Sequence, residues 1–441
     1  MKIIHGSSEA KATILKRSLL EQSKLPPALK EGIKKVFGQE LTAEQAVQQI
    51  LADVRRRGDA ALFDYSLRID NVKLTALEVG KDKVKAARSQ VDPKLIAALE
   101  LAAEKVAAFH EKQKKHSSRS FYQNGLGQTV RAMERVGVYI PGGRAPYPST
   151  VLMTAIPARI AGVSEIILTT PPTPTGDVPA SILAAAGIAR VDRVFSVGGA
   201  QAIGALAYGT ESVPRVDKIC GPGNIFVALA KKFVFGAVAI DGIQGPTETM
   251  VVADETANPT LCALDLLAQA EHDPLATAIL ITTSLQLAEE INLEIDKQMA
   301  TLERSQIIAQ SLEARGGMIV VPTISEAIDL VNFYAPEHVA ILTKDALSWK
   351  DSMRNAGGVF LGESSPETLG DYTAGPSHVM PTNGTARFSS ALGVPDFLKI
   401  TNVVAVSRRK LGEIGPAAST IARAEGLTAH ALTIEERLKK K

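Results

Sequence analysis

The sequence predicts an α/β fold built on parallel sheets, because one local pattern occurs three times. In each copy an apolar strand runs into a glycine-bearing loop and then into an apolar helix, which is the order of a βαβ unit. The carboxyl ends of parallel strands meet at one edge, so we expect the three loops to lie together where nucleotides bind. The strands are 136–140, 193–197 and 216–220, and the loops are Pro141-Gly142-Gly143, Gly198-Gly199-Ala200-Gln201 and Gly221-Pro222-Gly223-Asn224.

None of these loops carries the complete G-x-G-x-x-G fingerprint of dinucleotide-binding proteins. The nearest, Gly221-x-Gly223, lacks the third glycine. Taken alone, each loop is more often a tight turn than a phosphate cradle. Their common direction is what indicates a nucleotide-binding edge.

The second half of the chain also alternates short apolar strands with longer helical patterns. This alternation predicts a second parallel sheet. The predicted strands are 250–253, 278–282 and 317–321, and the predicted helices are 259–270, 284–302 and 324–333.

The two ends of the chain give a more helical pattern. Residues 1–40 read as polar helix and loop, and a capping box at Thr42-Ala-Glu-Gln45 opens a helix ending near Gly58. A further helix starts at Asp92-Pro93, with His110 expected near the surface. After an irregular stretch from 362 to 390, we predict a strand at 400–406 and two closing helices.

Composition excludes several classes of protein. The 441 residues are 45% hydrophobic and 22% charged, which is typical of a globular protein of two or three domains. A net charge of +2 and 5% aromatic residues argue against nucleic-acid binding. Cys220 and Cys262 sit in apolar stretches without metal or redox spacing, so we expect reduced core thiols. No signal peptide or membrane span is evident, and we expect a cytoplasmic protein with no membrane partner.

Glu337 and His338 stand side by side at a predicted helix-to-strand junction. Pro336 biases Ala335 away from the helical region, and the apolar run from Val339 predicts a buried strand. Histidine exchanges protons near neutral pH, and glutamate can activate a water molecule. The pair by itself is also compatible with a surface Glu beside a half-buried His.

Four polar residues in glycine- or acid-flanked stretches form a possible metal site. Gln269 and His272 share one face of a helix end, and Asp371 and His430 follow later. Two nitrogens and two oxygens suit zinc. Each residue taken alone is more simply a hydrogen-bonded polar side chain, and the role of His378, after Gly375-Pro-Ser, stays open.

Eight motifs in order make the chain, from about residue 30 to its carboxyl terminus, resemble the histidinol dehydrogenase family. They are Tyr139-Ile-Pro-Gly-Gly143, Val197-Gly-Gly-Ala-Gln201, Gly221-Pro-Gly-Asn224, Gly245-Pro-Thr-Glu248, Gln269-Ala-Glu-His272, Ala335-Pro-Glu-His338, Gly370-Asp371 with Ala374-Gly-Pro-Ser-His378, and Glu425-Gly-Leu-Thr-Ala-His430. One departure is Thr247, where many relatives carry serine, and a hydroxyl is kept.

The resemblance implies two Rossmann-like parallel-sheet domains of the aldehyde-dehydrogenase-like kind, with small helical segments at both ends. We therefore expect an N-terminal helical segment at 1–35 and a catalytic α/β domain formed by 36–135 with 243–390. An NAD-binding Rossmann-like domain would cover 136–242, and a dimerisation tail would cover 391–441.

The resemblance also implies an activity, the last step of histidine biosynthesis: oxidation of L-histidinol through L-histidinal to L-histidine, with NAD and one zinc ion per subunit. A homodimer is implied, in which each carboxyl-terminal tail completes the partner's site. Glu337 and His338 would be the catalytic acid/base pair. The implied zinc ligands are Gln269, His272, Asp371 and His430, the substrate contacts are Thr247, Gln269, His272, His338, Asp371, Glu425 and His430, and the NAD contacts are Tyr139, Gln201 and Asn224.

Three other functions are each compatible with part of the sequence. An NAD-dependent dehydrogenase of another polar alcohol, such as a sulfonated diol, is disfavoured by Glu425 and His430, which the family uses for imidazole and amine recognition. A zinc hydrolase would leave the three glycine loops without a role. A nucleotide-binding regulator without catalysis would leave Glu337 and His338 unexplained.

Overall fold

A computed structural model describes residues 1–17, 27–142 and 145–439, so Gly143 of the first predicted loop lies outside the described residues. The chain divides into two compact units. The first contains Met1–Lys115 and Met133–Phe397, and the second contains His116–Ala132 and Leu398–Lys441. Across the described ranges, no helix is both long and apolar enough to cross a membrane.

The strands and helices are numbered here in chain order. The strands are β1 (Ile3–His5), β2 (Glu78–Val79), β3 (Phe121–Gln123), β4 (Leu126–Ala132), β5 (Arg135–Tyr139), β6 (Glu165–Thr170), β7 (Arg193–Ser196), β8 (Lys218–Cys220), β9 (Ala239–Ile240), β10 (Glu248–Ala253), β11 (Thr277–Thr282), β12 (Gly316–Val320), β13 (His338–Leu342), β14 (Gly358–Leu361) and β15 (Leu398–Val404). The helices are α1 (Ser7–Ala12), α2 (Pro27–Phe37), α3 (Ala43–Arg57), α4 (Asp59–Asp70), α5 (Lys81–Ala87), α6 (Pro93–His116), α7 (Pro148–Ala161), α8 (Ala180–Ile188), α9 (Gly199–Tyr208), α10 (Ile225–Val234), α11 (Pro259–Ala270), α12 (Leu285–Met299), α13 (Ser305–Arg315), α14 (Ile324–Tyr334), α15 (Glu367–Tyr372), α16 (Arg408–Ala424) and α17 (Thr428–Lys439).

The first sheet has the order β1-β12-β11-β10-β13-β14, with every neighbouring pair parallel. Its central strands are buried on both faces, which is why they read as unbroken apolar runs. Along β10, Val251 packs with α11 and α12 on one face, whereas Met250 and Val252 pack with α14 on the other. The alternation follows from the two-residue period of a strand.

The second sheet has the order β2-β7-β6-β5-β8-β9. Strands β5 to β9 pair in parallel, and β2 pairs antiparallel with β7. The carboxyl ends of β5, β7 and β8 therefore meet at one edge, as predicted for the glycine loops. Helices α3, α4, α9 and α10 pack on one face of this sheet around Tyr65, Phe195 and Ile203.

The second unit contains the antiparallel sheet β15-β4-β3 and the helix pair α16 and α17. β15 pairs with β4 from Leu398 opposite Ala132 to Val404 opposite Leu126. The predicted strand at 400–406 and the two closing helices are confirmed. Strands β3 and β4 were not predicted.

Some helix and strand predictions were exact and others were wrong. Strand β6, helix α11 and the capping box at Thr42 are confirmed. The predicted helix at 284–302 is confirmed as α12, whereas α13, which follows it, was not predicted, and the irregular stretch from 362 contains α15. His110 is fully buried with its Nδ1 atom 2.8 Å from the Val106 carbonyl oxygen, so its expected surface position was wrong.

Both large sheets fall in the first compact unit, whereas the expected domains separated them. Within 36–135, helix α3 packs with α9 on the second sheet, and β2 pairs with β7 of that sheet. The first residues of the chain pair with β12 instead of forming helix alone. The proposed domain boundaries remain a prediction.

Candidate active site

The Glu337-His338 pair lies at the amino edge of the first sheet. Helix α14 ends at Tyr334, and Ala335 adopts the left-handed conformation with φ 55°, which turns the chain into β13. His338 is the first residue of β13 and pairs with Thr249 at the start of β10. The predicted helix-to-strand junction is therefore present, and both side chains of the pair are buried.

One ring nitrogen of His338 has no hydrogen-bond partner among the described residues. Its Nδ1 atom lies 3.3 Å from the main-chain oxygen of Glu248, and because a carbonyl oxygen only accepts, the ring hydrogen sits on Nδ1. The Nε2 atom is buried with no hydrogen-bond partner in the described chain and lies 3.8 Å from Oδ1 of Asp371. Burial, helped by the nearby His272 and His378, lowers the pKa of His338 to about 3. The ring is thus a neutral base with an available lone pair.

Glu337 is the second buried group of the pair. Its Oε2 atom accepts hydrogen bonds from the Thr247 hydroxyl at 2.7 Å and from the Glu248 main-chain nitrogen at 3.2 Å. Burial raises the pKa of Glu337 well above its ordinary value, and the two hydrogen bonds oppose that shift only partly. A carboxylate with a raised pKa is a stronger base near neutral pH.

Gln269 connects the pair to a second buried carboxyl group. Its Oε1 atom lies 3.0 Å from the Thr247 hydroxyl, and its Nε2 atom donates to Oε2 of Glu367 at 2.9 Å. Glu367 also accepts from the Thr249 hydroxyl, and burial raises the pKa of Glu367 to about 8. These contacts fix which way the Gln269 amide points.

Asp371, near the end of α15, faces His338 Nε2. Burial raises the pKa of Asp371 to about 6, and among the described residues it has no lysine or arginine partner. His378 donates from Nδ1 to the Asp371 main-chain oxygen at 2.8 Å, and its Nε2 atom lies 3.2 Å from the Thr150 hydroxyl. His378 therefore fastens the backbone of Asp371.

The expected metal ligands fall in two places. Gln269, Asp371 and the exposed His272 belong to the first unit, with the His272 main-chain nitrogen bonded to the Gln269 carbonyl at 3.2 Å. Glu425 and His430 belong to the second unit, and both side chains are exposed. Within the part of the chain that is described, no three His, Cys, Asp or Glu side chains form a group that could hold a metal ion.

The expected cofactor residues lie at the carboxyl edge of the second sheet. The hydroxyl of Tyr139, which ends β5, accepts from the Gly199 main-chain nitrogen at 3.1 Å. Gly221 follows β8 with φ 115°, and a Cβ atom there would lie 2.2 Å from the Tyr139 carbonyl oxygen. Only glycine fits that turn. The Lys231 side chain stabilises the Gly221 loop. Its Nζ atom lies 2.9 Å from the Gly221 carbonyl oxygen and 2.5 Å from the Asp241 carboxylate.

Two side chains at this edge keep polar atoms without a partner. Oε1 of Gln201 and Oδ2 of Asp70 are buried and have no hydrogen-bond partner within the described ranges. The Asp70 carboxylate faces Tyr139, whose pKa is raised to about 12 by burial and, more weakly, by Asp70. Asn224 instead caps α10, accepting from the main-chain nitrogens of Phe226 and Val227.

The two edges meet. Besides the contact between His378 and Thr150 of α7, the Ser377 hydroxyl donates to the Met153 carbonyl at 3.0 Å. Lys231, beneath the Gly221 loop, also bonds Gln244 at 2.6 Å, three residues before Thr247. These hydrogen bonds join segments around the Glu337-His338 pair to elements next to the glycine loops of the second sheet.

Sequence reasoning missed several residues at this site. Glu248 lay inside a quoted motif without an assigned role, although its main chain contacts both Glu337 and His338. Glu367, Asp70 and Arg17 gave no local signal, because a single buried carboxylate or an N-terminal arginine is unremarkable in a sequence. Their burial and partners appear only in the folded chain.

Comparisons with known proteins agree on one family. A family model described as histidinol dehydrogenase matches residues 35–438. The chain is 50% identical over 442 residues to histidinol dehydrogenase of Deinococcus radiodurans, covering all of both sequences. It is 49% identical over 443 residues to that of Dehalococcoides mccartyi strain CBDB1, covering 99% of this chain and all of the relative. The crystal structure of histidinol dehydrogenase from Elizabethkingia anophelis superposes with a TM-score of 0.89 at 34% identity, covering 100% of this chain and 98% of that one.

Proposed function

The chain belongs to the histidinol dehydrogenase family of oxidoreductases, and on this premise we propose that it oxidises L-histidinol to L-histidine through the aldehyde in two NAD-linked steps. This is the last step of histidine biosynthesis. The observation that carries the proposal is the buried, neutral His338 beside Glu337, whose Nε2 atom has no hydrogen-bond partner among the described residues. A neutral imidazole with an available lone pair can accept the proton of an alcohol.

In the first oxidation, His338 Nε2 takes the proton of the substrate hydroxyl while the carbinol carbon loses a hydride. Its Nδ1–H stays bonded to the Glu248 carbonyl, which orients the ring and supports the positive charge that forms. When bound, NAD supplies the hydride acceptor. Once the imidazolium has released this proton to solvent, the same nitrogen removes a proton in the second oxidation, so a single base serves both steps.

The aldehyde must gain a water molecule before a second hydride can leave. Glu337 is adjacent to His338, with 3.7 Å between Glu337 Oε2 and His338 Nδ1, and its raised pKa makes its carboxylate an effective base. We assign to Glu337 the removal of a proton from that water. Thr247 and the Glu248 main chain hold the carboxylate while it acts.

The donor set of the first unit fits a zinc ion. Asp371 is a largely buried carboxylate without a basic partner in the described chain, Gln269 directs Oε1 away from Glu367, and His272 is exposed at the helix end. These three side chains would hold the metal, with His430 as the fourth ligand. When bound, zinc supplies a fixed point for the amine and imidazole nitrogens of histidinol and polarises its oxygen.

The residues at the second edge fit a nicotinamide dinucleotide. Within the described ranges, the buried Oε1 atom of Gln201 has no hydrogen-bond partner, and Gly221 places no side chain over its loop. Tyr139, Gln201 and Asn224 would contact the cofactor. The choice of NAD over NADP follows from family membership.

We propose a homodimer in which Glu425 and His430 serve the partner's substrate and metal site. The second unit supports this, because it exposes large apolar side chains that a monomer would leave in water. The exposed fraction is 59% for Phe121, 71% for Val404 and 60% for Ile421. In a two-fold dimer the exchange of tails is reciprocal.

We also propose that the enzyme works in the cytoplasm. Cys220 and Cys262 are free, buried thiols, the form that a reducing compartment maintains. Burial raises the pKa of Cys262 to about 12, so neither metal binding nor oxidation is expected there.

One assay separates the proposed function from the alternatives. The purified protein is mixed with NAD and L-histidinol, and NADH absorbance and L-histidine are followed. Two NADH per histidine are expected. A zinc hydrolase or a regulator without catalysis would form no NADH, and oxidation of a sulfonated diol but not of histidinol would move the assignment to another alcohol.

A further inference from the structure

Arg17 forms a buried ion pair at the back of the candidate site. Its Nη2 atom lies 2.9 Å from Oε2 of Glu248, and Nη1 contacts the other oxygen of the same carboxylate. The exposed fraction is 25% for the Arg17 side chain and 3% for that of Glu248. Two parallel hydrogen bonds between planar groups fix orientation as well as distance.

The same guanidinium fastens the segment that leads into the catalytic pair. Arg17 Nε donates to the Tyr334 carbonyl at 3.0 Å, and Nη2 lies 3.3 Å from the Ala335 carbonyl. The guanidinium carbon also lies 3.7 Å from the centre of the Tyr334 ring. Ala335 has φ 55°, a left-handed conformation that is unfavourable for a residue with a side chain. The bonds from Arg17 help to hold that turn two residues before Glu337.

The main chain of Glu248 forms hydrogen bonds with both Glu337 and His338. Its main-chain nitrogen donates to Glu337 Oε2 at 3.2 Å, and its carbonyl accepts from His338 Nδ1 at 3.3 Å. The Asn383 main-chain nitrogen contacts the Glu248 carboxylate at 3.2 Å and closes the other side. Arg17 thus contacts the Glu248 side chain and the Tyr334-Ala335 main chain, and both residue segments set the positions of Glu337 and His338.

We propose that Arg17 is a positioning residue for the Glu337-His338 pair, acting through Glu248 and the Tyr334-Ala335 main chain. Arg17 lies before residue 35, where the match to the family model begins, and no local pattern connects the first residues with catalysis. The inference rests on the proposed function for its kinetic test. Its spectroscopic test is independent of that function.

A second arginine provides a matched control for fold stability. Arg193 also makes a bidentate pair, at 2.8 and 2.7 Å with Glu78, bonds a carbonyl at 3.1 Å on Ser212, and lies 4.9 Å from the Phe195 ring centre. It starts β7, at the edge of the second sheet opposite the glycine loops. Losing this cluster should affect stability without touching the pair.

The kinetic test compares Arg17→Met, Arg17→Lys and Arg193→Met with the unaltered enzyme, using kcat, both KM values and the midpoint of urea unfolding. We expect Arg17→Met to lower kcat about tenfold or more, with KM for NAD changed less than about twofold. Arg17→Lys keeps the positive charge but loses the two parallel hydrogen bonds of the guanidinium. Its kcat should therefore lie between that of Arg17→Met and that of the unaltered enzyme. Arg193→Met should lower the unfolding midpoint and keep kcat.

The spectroscopic test follows the ¹⁵N signals of the His338 ring in histidine-labelled protein, assigned with His338→Asn. Arg17→Met should shift these signals and Arg193→Met should not. An unchanged kcat together with unchanged ring signals in Arg17→Met would overturn the proposal, as would an equal loss of kcat in Arg193→Met. If Arg17→Met fails to fold, Arg17→Lys is judged by the same two measurements. If the unaltered enzyme forms no NADH from histidinol, the proposed function fails, and the ring signals alone decide the positioning role.

Discussion

His338 Nε2 and Asp371 Oδ1 lie 3.8 Å apart, too far for a hydrogen bond and close enough to share one bound group. Both atoms face the same point from different elements, the start of β13 and the end of α15. The nitrogen has no other partner in the described chain, and the carboxylate has no basic one.

We expect activity to depend on a divalent metal. Strong chelation followed by dialysis should abolish NADH formation, and added zinc should restore it. Circular dichroism should be unchanged in the metal-free protein, because a core of this size does not need a metal to fold. Full turnover in a sample shown by elemental analysis to be metal-free would remove the metal from the mechanism.

Glu337→Gln and His338→Asn should separate the two oxidations. Glu337→Gln should slow the histidinal step more than the histidinol step, because only the former consumes water. His338→Asn should slow both, because each releases a proton as the hydride leaves. Both variants are assayed with both substrates, and equal losses for Glu337→Gln on the two would argue against a water-activating role.

The hydroxyl of Thr247 should matter more than its methyl group. Thr247→Val keeps the shape but removes the donor to Glu337 Oε2. A hydrogen bond to a charged group contributes about 1.5–3 kcal/mol, so we expect kcat to fall about tenfold to a hundredfold. Thr247→Ser is the control and should stay within about threefold of the unaltered enzyme. Similar rates for Val and Ser would show that the hydroxyl is dispensable.

His430 should act across the subunit interface. The test mixes two inactive variants, His430→Ala and His338→Asn, under conditions that exchange subunits. A mixed dimer then contains one site with an intact pair from one chain and an intact tail from the other, and activity should appear. If His430 serves its own chain, every site keeps one lesion, and the mixture stays as inactive as its components.

Asp70 should make stability fall as pH rises. Burial raises the pKa of Asp70 to about 6, compared with about 3.9 in an unfolded chain. Between these values the folded state binds more protons than the unfolded one, so this group's contribution to stability decreases as pH rises from about 4 to about 6. Asp70→Asn should then be more stable than the unaltered protein at pH 7.5, by about 2 kcal/mol, and equal to it near pH 4.

Urea unfolding at pH 4, 5, 6 and 7.5 measures this difference. The exposed Asp82→Asn serves as the control and should follow the unaltered protein throughout. A pH-independent effect of Asp70→Asn would mean that the carboxylate is not destabilised by burial.

Local signals determined those parts of the fold that depend on near neighbours in sequence. The capping box at Thr42, the helix starting at Pro259 and the strand from Glu165 were placed correctly because a cap, a proline and an apolar run each act within a few residues. Short or exposed strands such as β1, β2 and β4 were missed. Their pairing with distant strands holds them, and no local period marks them.

In the candidate site too, some features follow from the local sequence and others depend on contacts between distant residues. The sequence by itself predicted that Glu337 and His338 stand at a helix-to-strand junction, because Pro336 and the apolar run after it act locally. Only the tertiary structure decided that Glu248, 90 residues earlier, sets the hydrogen on His338 Nδ1, and that Arg17, 318 residues before Ala335, anchors the same turn. Protonation and orientation depend on burial and on hydrogen-bond partners, and parallel strand pairing brings those partners together from parts of the chain that no local pattern connects.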